Sequence, residues 1–153
     1  MKKLFATGMI AVLMGLAACQ TPTDVELSDL EGAWLASEMR ILEIAQPKEN
    51  NFDLIDLGYT AVFVSDGAGA FDIFLESPDE EMEHIMGTLA IDGTDVAVTT
   101  ENGTGTGEVF LEDEQAALSL TGGLTFDFKG DGTEVPAKLL LVMDRVGPAP
   151  APE

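Results

Sequence analysis

One histidine, His84, and one cysteine, Cys19, are the only side chains of their kinds in the 153 residues. Nucleophilic catalysis needs an activated thiol, hydroxyl or amine beside a base, and no serine sits in a G-x-S-x-G turn. With 28 Asp and Glu residues, close carboxylate pairs occur along most of the chain, so no single pair points to general acid–base work. The expectation is a protein that is not an enzyme and carries no cofactor. His84 follows Asp79-Glu80-Glu81-Met82-Glu83, which has the residue types of a metal site. A solvated acidic loop leading into a strand explains the same run more simply, and no metal is expected there. Asp127-x-Lys129-x-Asp131-Gly132 begins like a calcium loop, but Lys129 occupies the third position and Lys138 the twelfth, where a bidentate Glu belongs. A helix–loop–helix calcium hand is excluded. A looser oxygen site from Asp127, Asp131 and Glu134 stays open beside the plain reading of a glycine turn.

Cys19 has a different setting. Lys2 and Lys3 precede an apolar run from Leu4 to Leu16, and Ala17-Ala18 leads into the cysteine. A charged start, a short apolar core and small residues at its end describe a secretory signal peptide. The run is shorter than the roughly 20 apolar residues of a membrane span. An ordinary cleaved signal beside an incidental cysteine is the competing reading, but it leaves a lone reactive thiol in an oxidising compartment. Leu16-Ala17-Ala18-Cys19 resembles the bacterial lipobox. That resemblance implies a signal peptide over 1–18, cleavage before Cys19, a diacylglyceryl thioether on its sulfur and a third acyl chain, such as palmitate, on the new amino terminus. Each buried methylene contributes about 0.8 kcal/mol, so several chains anchor stably where one would not. The expected partner is therefore a lipid bilayer. By the family's sorting rule Gln20 after the cysteine directs the protein to the outer membrane of a Gram-negative envelope.

Cleavage would remove two lysines and no acid, taking the formal charge from −21 to −23. The remaining cations, Arg40, Lys48, Lys129, Lys138 and Arg145, form no cluster that could neutralise phosphates, so nucleic acid is not an expected partner. Anionic headgroups would repel such a domain, leaving attachment to the acyl chains. Like charge at this density opposes compaction unless salt screens it, which suggests a marine or salt-adapted host. No second cysteine exists for a disulfide or a thiolate zinc site within one chain. Residues 19–26 read as a polar tether, 27–146 as one domain, and 147–153 as an extended Pro/Ala tail.

The elements that must position any site are short alternating runs. Phe71, Ile73 and Leu75 share one face, as do Ile85, Gly87, Leu89 and Ile91; Val96 with Val98, Val109 with Leu111, and Leu118 with Leu120 continue the pattern. Asp66-Gly67, Asp92-Gly93, Asn102-Gly103 and Gly122-Gly123 punctuate the runs as hairpin turns. The pattern predicts strands near 33–45, 58–65, 70–76, 84–91, 95–101, 106–112, 116–121 and 138–145, after a short helical turn at 28–31. Strands joined by such turns form an antiparallel up-and-down meander, and about eight of them escape exposed edges by closing into a barrel. The fold class is all-β.

Three features resemble the small lipocalin-like lipoproteins of bacteria. Gly32-Ala33-Trp34 is similar to the family's G-x-W at the first strand, and Arg145 to the arginine that packs across that tryptophan. The segment Phe126 to Ala137, running into Leu139 to Met143, is similar to the stretch before the family's last strand. The resemblance implies a barrel whose base is closed by Trp34 and Arg145, and the pairing is physically sensible because a guanidinium over an indole gains about 0.5–2 kcal/mol. Val62 or Phe63, with Phe71, Ile73, Leu89, Val98, Val109, Leu118, Leu141 and Met143, supply an uncharged inward set. Small barrels either fill such an interior or hold one small ligand. Filling makes the protein a structural or protein-interaction module, with function on outer faces such as the acidic 76–84 loop and a protein partner that the sequence does not identify. A hollow makes the inward set a binding site for a small apolar molecule.

Overall fold

The computed structural model describes residues 23–148. The expected signal segment, Cys19 and most of the 147–153 tail lie outside those residues. A 3-10 turn, Leu27–Leu30, leads into nine strands: β1 Gly32–Glu43, β2 Asn51–Asp53, β3 Thr60–Ser65, β4 Ala70–Glu76, β5 Met82–Asp92, β6 Asp95–Thr100, β7 Gly103–Glu112, β8 Gln115–Phe126 and β9 Val135–Gly147. From β3 onward each strand pairs antiparallel with the next, and β9 returns to β1. Eight strands thus form a closed antiparallel barrel, with β2 as a short addition along β1. Closure removes the exposed edges that an open meander would present.

Alternation drives the fold, and it breaks in instructive places. In β1, Trp34 and Ala36 are buried, then a bulge between Ala36 and Glu38 shifts the inward set to Met39 and Ile41. A bulge inserts one residue into one strand, so the faces exchange beyond it. Gly122-Gly123 is not a hairpin turn. Both residues have positive φ (87° and 66°) and lie in an irregular stretch inside β8, where the pairing with β9 skips from Thr121 to Thr125. That strand therefore runs to Phe126 rather than ending near 121.

Other boundaries move for local reasons. The first strand stops at Glu43, whose N–H bonds the Asn50 carbonyl, rather than near 45. The second expected strand begins at Thr60, because the chain at Gly58 is still turning at φ 92°. The strands expected at 84–91, 106–112 and 138–145 start earlier, at Met82, Gly103 and Val135, since their neighbours pair with those extra residues. Gly147 belongs to β9 and pairs with Ala33, so the tail starts later than its composition suggests. β2 was not expected, because three residues carry no period.

Strand order gives the barrel two unlike poles. The β3–β4, β5–β6 and β7–β8 turns gather at one, together with the 3-10 turn and the end of β9. At the other lie the 44–59 segment carrying β2 and the connections 77–81, 101–102 and 127–134. Large side chains fill the first pole: Trp34, Val109 and Met143 are at most 2% exposed.

Candidate functional site

The filled pole is sealed by a small set of polar contacts around Trp34. Its indole Nε1–H donates to the Leu30 carbonyl at 2.9 Å, which satisfies the buried donor and holds the 3-10 turn over the barrel end. The Arg145 guanidinium carbon lies 4.2 Å from the indole centroid. Its two terminal nitrogens donate to the carbonyls of Glu31 and Asp29, and Nε meets Glu114 at 2.8 Å. One arginine therefore ties the 3-10 turn, β1, β9 and the β7–β8 turn together. Val25 completes the cap by donating its N–H to the Gly93 carbonyl at 2.9 Å.

Toward the opposite pole the interior is hollow. An apolar cavity of about 170 Å³ opens there. Phe63, Phe71, Ile73, Leu89, Val98, Leu118 and Leu141 line it, with the rings of Phe63 and Phe71 stacked at 5.5 Å. Val109 and Met143 do not. They pack in the sealed half, because strand direction puts them near the other pole. Among the described residues no charged side chain lines the cavity, and the polar side chains that do are Thr100 and Asn102 near the opening.

Glycine explains why the hollow lies where it does. Gly103, Gly105, Gly122 and Gly123 line one side of it. A Cβ on Gly105 would sit 2.8 Å from the Gly122 carbonyl oxygen, and one on Gly107 would overlap the Ser119 carbonyl. β7 and β8 approach too closely there for any side chain, so this stretch of wall adds nothing to the interior. Across the barrel, a Cβ on Gly87 would come within 2.6 Å of the Phe71 ring, so Gly87 gives that ring its place.

The 44–59 segment lies at the same pole. The Asp53 carboxylate accepts the N–H groups of Met39 (3.2 Å) and Ile55 (3.0 Å), and the Leu54 N–H donates to the Met39 carbonyl at 2.9 Å. These bonds fasten the segment to β1 beyond the point where β1 parts from β3. Phe52 stacks on Phe128 at 5.8 Å, and Phe126 meets Phe128 edge-on at 5.0 Å. Glu43 is buried nearby with the Asn50 side-chain amide as its partner.

The acidic loops are organised by their own backbone. One Asp127 carboxylate accepts the N–H groups of Lys129, Gly130, Asp131 and Gly132, and Gly132 at 2.6 Å is the shortest. The Gly132 bond first, then those from Lys129, Asp131 and Gly130, hold the Asp127 pKa below the ordinary value of 3.8 against a smaller desolvation effect. Asp131 accepts from the Thr133 N–H, and Glu134 from the Thr125 hydroxyl. The three oxygen donors weighed for calcium are thus turned to separate local partners. Asp66 behaves like Asp127: the Ala68 N–H, followed by those of Ala70 and Gly69 and its own, lowers its pKa. Asp79, Glu80 and Glu81 lie in the β4–β5 turn, while Met82, Glu83 and His84 are in β5. Among the described residues no group of three His, Cys, Asp or Glu side chains is arranged to hold a metal ion.

Several cavity residues escaped sequence reasoning. Met39 and Ile41 were hidden by the bulge in β1, and Leu139 by the unbroken apolar run Leu139 to Met143, which has no readable period. Ile85 and Leu120 belong to alternating runs and could have been added. The Gly103-Thr104-Gly105-Thr106-Gly107 alternation was the available signal for missing volume. No protein-family model and no curated protein matches the chain.

Proposed function

We propose that this protein is a non-enzymatic, lipocalin-like lipoprotein, anchored to the outer membrane through acylated Cys19, that holds one small apolar molecule in its barrel. The cavity of about 170 Å³ carries this reading. Apolar cavities of about 150 Å³ stay dry and accept a molecule the size of benzene. A ring or short alkyl chain fits these dimensions, with Thr100 and Asn102 available to a small polar head. The surrounding acidic surface disfavours a carboxylate, so the expected ligand is neutral.

Titration with a neutral environment-sensitive dye tests the proposal. Saturable binding of one dye per chain is expected. Val98→Phe, which fills the cavity from β6, should weaken it by about tenfold or more, equivalent to about 1.4 kcal/mol. Absence of saturable binding would instead favour an envelope interaction module. The exposed Leu35 and Phe74, in register across the half-buried Val62 between them, support that second reading. For the anchor, Cys19→Ala should accumulate a precursor-sized band without acyl label; normal processing and labelling would refute lipidation at this residue.

A further inference from the structure

We propose that the outer wall of the barrel carries a site for a soft monovalent cation, Cu(I) or its analogue Ag(I), built from Met82, His84 and Met86. These residues occupy alternate positions of β5, so their side chains share one face, with neighbouring Cα atoms about 6.7 Å apart. Met86 and Met82 are 64% and 61% exposed, more than any other large apolar side chain noted as exposed among the described residues. Each thioether is flexible, so both can close on the imidazole between them.

His84 is already oriented for such a role. Its Nε2 lies 2.6 Å from an Asp72 carboxylate oxygen, and its ring stacks on Phe74 at 4.6 Å with 9° between the planes. In the neutral imidazole, an Nε2–H donated to this carboxylate leaves the lone pair on Nδ1. No hydrogen bond to Nδ1 occurs among the described residues. A carboxylate behind the ring nitrogen that does not bind metal is the usual support of a metal-ligating histidine.

Ligand type selects the ion. Thioether sulfur with imidazole suits Cu(I), whereas calcium and magnesium require oxygen and zinc takes thiolate, imidazole or carboxylate. On β4, Asp72 pairs with Met86, Phe74 with His84 and Glu76 with Met82, so the two facing carboxylates supply negative charge beside the site. The acidity of the whole chain raises the local cation concentration further. The site lies on the outside of the wall and does not depend on the interior cavity.

The test uses the full chain in detergent, with Cys19→Ala in every sample so that no thiol competes. Cu(I) is titrated anaerobically against bicinchoninate, and Ag(I) is followed through methionine methyl NMR signals. One ion per chain is expected, with the Met82 and Met86 methyls moving and those of the buried Met39 and Met143 still. Met82→Leu and Met86→Leu keep the side-chain volume; together they should abolish binding while leaving the metal-free melting temperature unchanged. Asp72→Asn, acting through the orientation of His84, should weaken binding about tenfold. Absence of saturable binding, wild-type affinity in the double Leu variant, or displacement of Ag(I) by equimolar Zn(II) would each overturn the proposal.

Discussion

Asp127 satisfies four backbone donors with one carboxylate, and the consequence is a pH-dependent loop. Its pKa is lower in the folded chain than in the unfolded one, so its contribution is complete above the ordinary value of 3.8 and is lost as pH falls through the folded value. Asp127→Ala should therefore melt below the wild type at neutral pH, and the gap should narrow once pH drops below about 4. Parallel melts from pH 7 to pH 3 would check it; a gap that widens in acid would contradict the assignment. Arg145 is a second residue whose effect is calculable. Arg145→Ala leaves the Glu31 and Asp29 carbonyls without their donor and uncovers the Trp34 face, a loss of about 3 kcal/mol by denaturant unfolding. Arg145→Lys should recover only part, since one ammonium cannot reach both carbonyls in a fork. The lipocalin-like resemblance, together with complementary residue types, singled out Trp34 and Arg145 as a pair from sequence. The Asp127 loop was less legible, because spacing reports which carboxylates are near each other and not which backbone donors already occupy them.

At the scale of elements, glycine shapes the hollow and one aspartate fastens the 44–59 segment to β1. Gly107→Ala places a methyl against the Ser119 carbonyl and should cost about 2 kcal/mol or more as β7 and β8 separate. Asp53→Ala removes the acceptor for the Met39 and Ile55 N–H groups, so hydrogen exchange at those two amides should speed up while exchange in β8 and β9 stays slow. Uniform acceleration across the barrel would show that the segment is not a separate unit. Five of the strands, β4 to β8, were readable because period-two alternation survives in them, β3 and β9 were readable only as apolar runs, and β1 only as far as its bulge. Beyond Ala36 the faces exchange, so a strict alternation would assign Glu38 and Arg40 to the interior that Met39 and Ile41 occupy. β2 is too short to carry a period, and Gly122-Gly123 looks like a turn in any local reading because positive φ serves bulges and turns alike.

For the whole molecule, charge is the dominant unbalanced quantity. At a formal −21, self-repulsion acts over a Debye length of about 30 Å at 0.01 M salt and about 3 Å at 1 M. The melting temperature should rise with NaCl over that range, and a flat response would remove the case for a salt-adapted protein. Fold class and closure were legible because antiparallel strands without covering helices have few other ways to protect their edges. Whether the interior was filled was not, since an inward apolar face reads the same in both cases and the answer depended on how closely two backbones approach. One last consequence follows from the end at which the chain joins the barrel. Val25 bonds to Gly93 beside the Trp34 seal, and Cys19 is six residues before it, at most about 20 Å along an extended chain. An acyl group on Cys19 would plant the molecule like a goblet, foot to the bilayer and bowl held out into water. Any molecule held in the cavity would then exchange with the aqueous side rather than with the lipid beneath, and acyl chains on Cys19 would hang at the wrong end to fill the bowl.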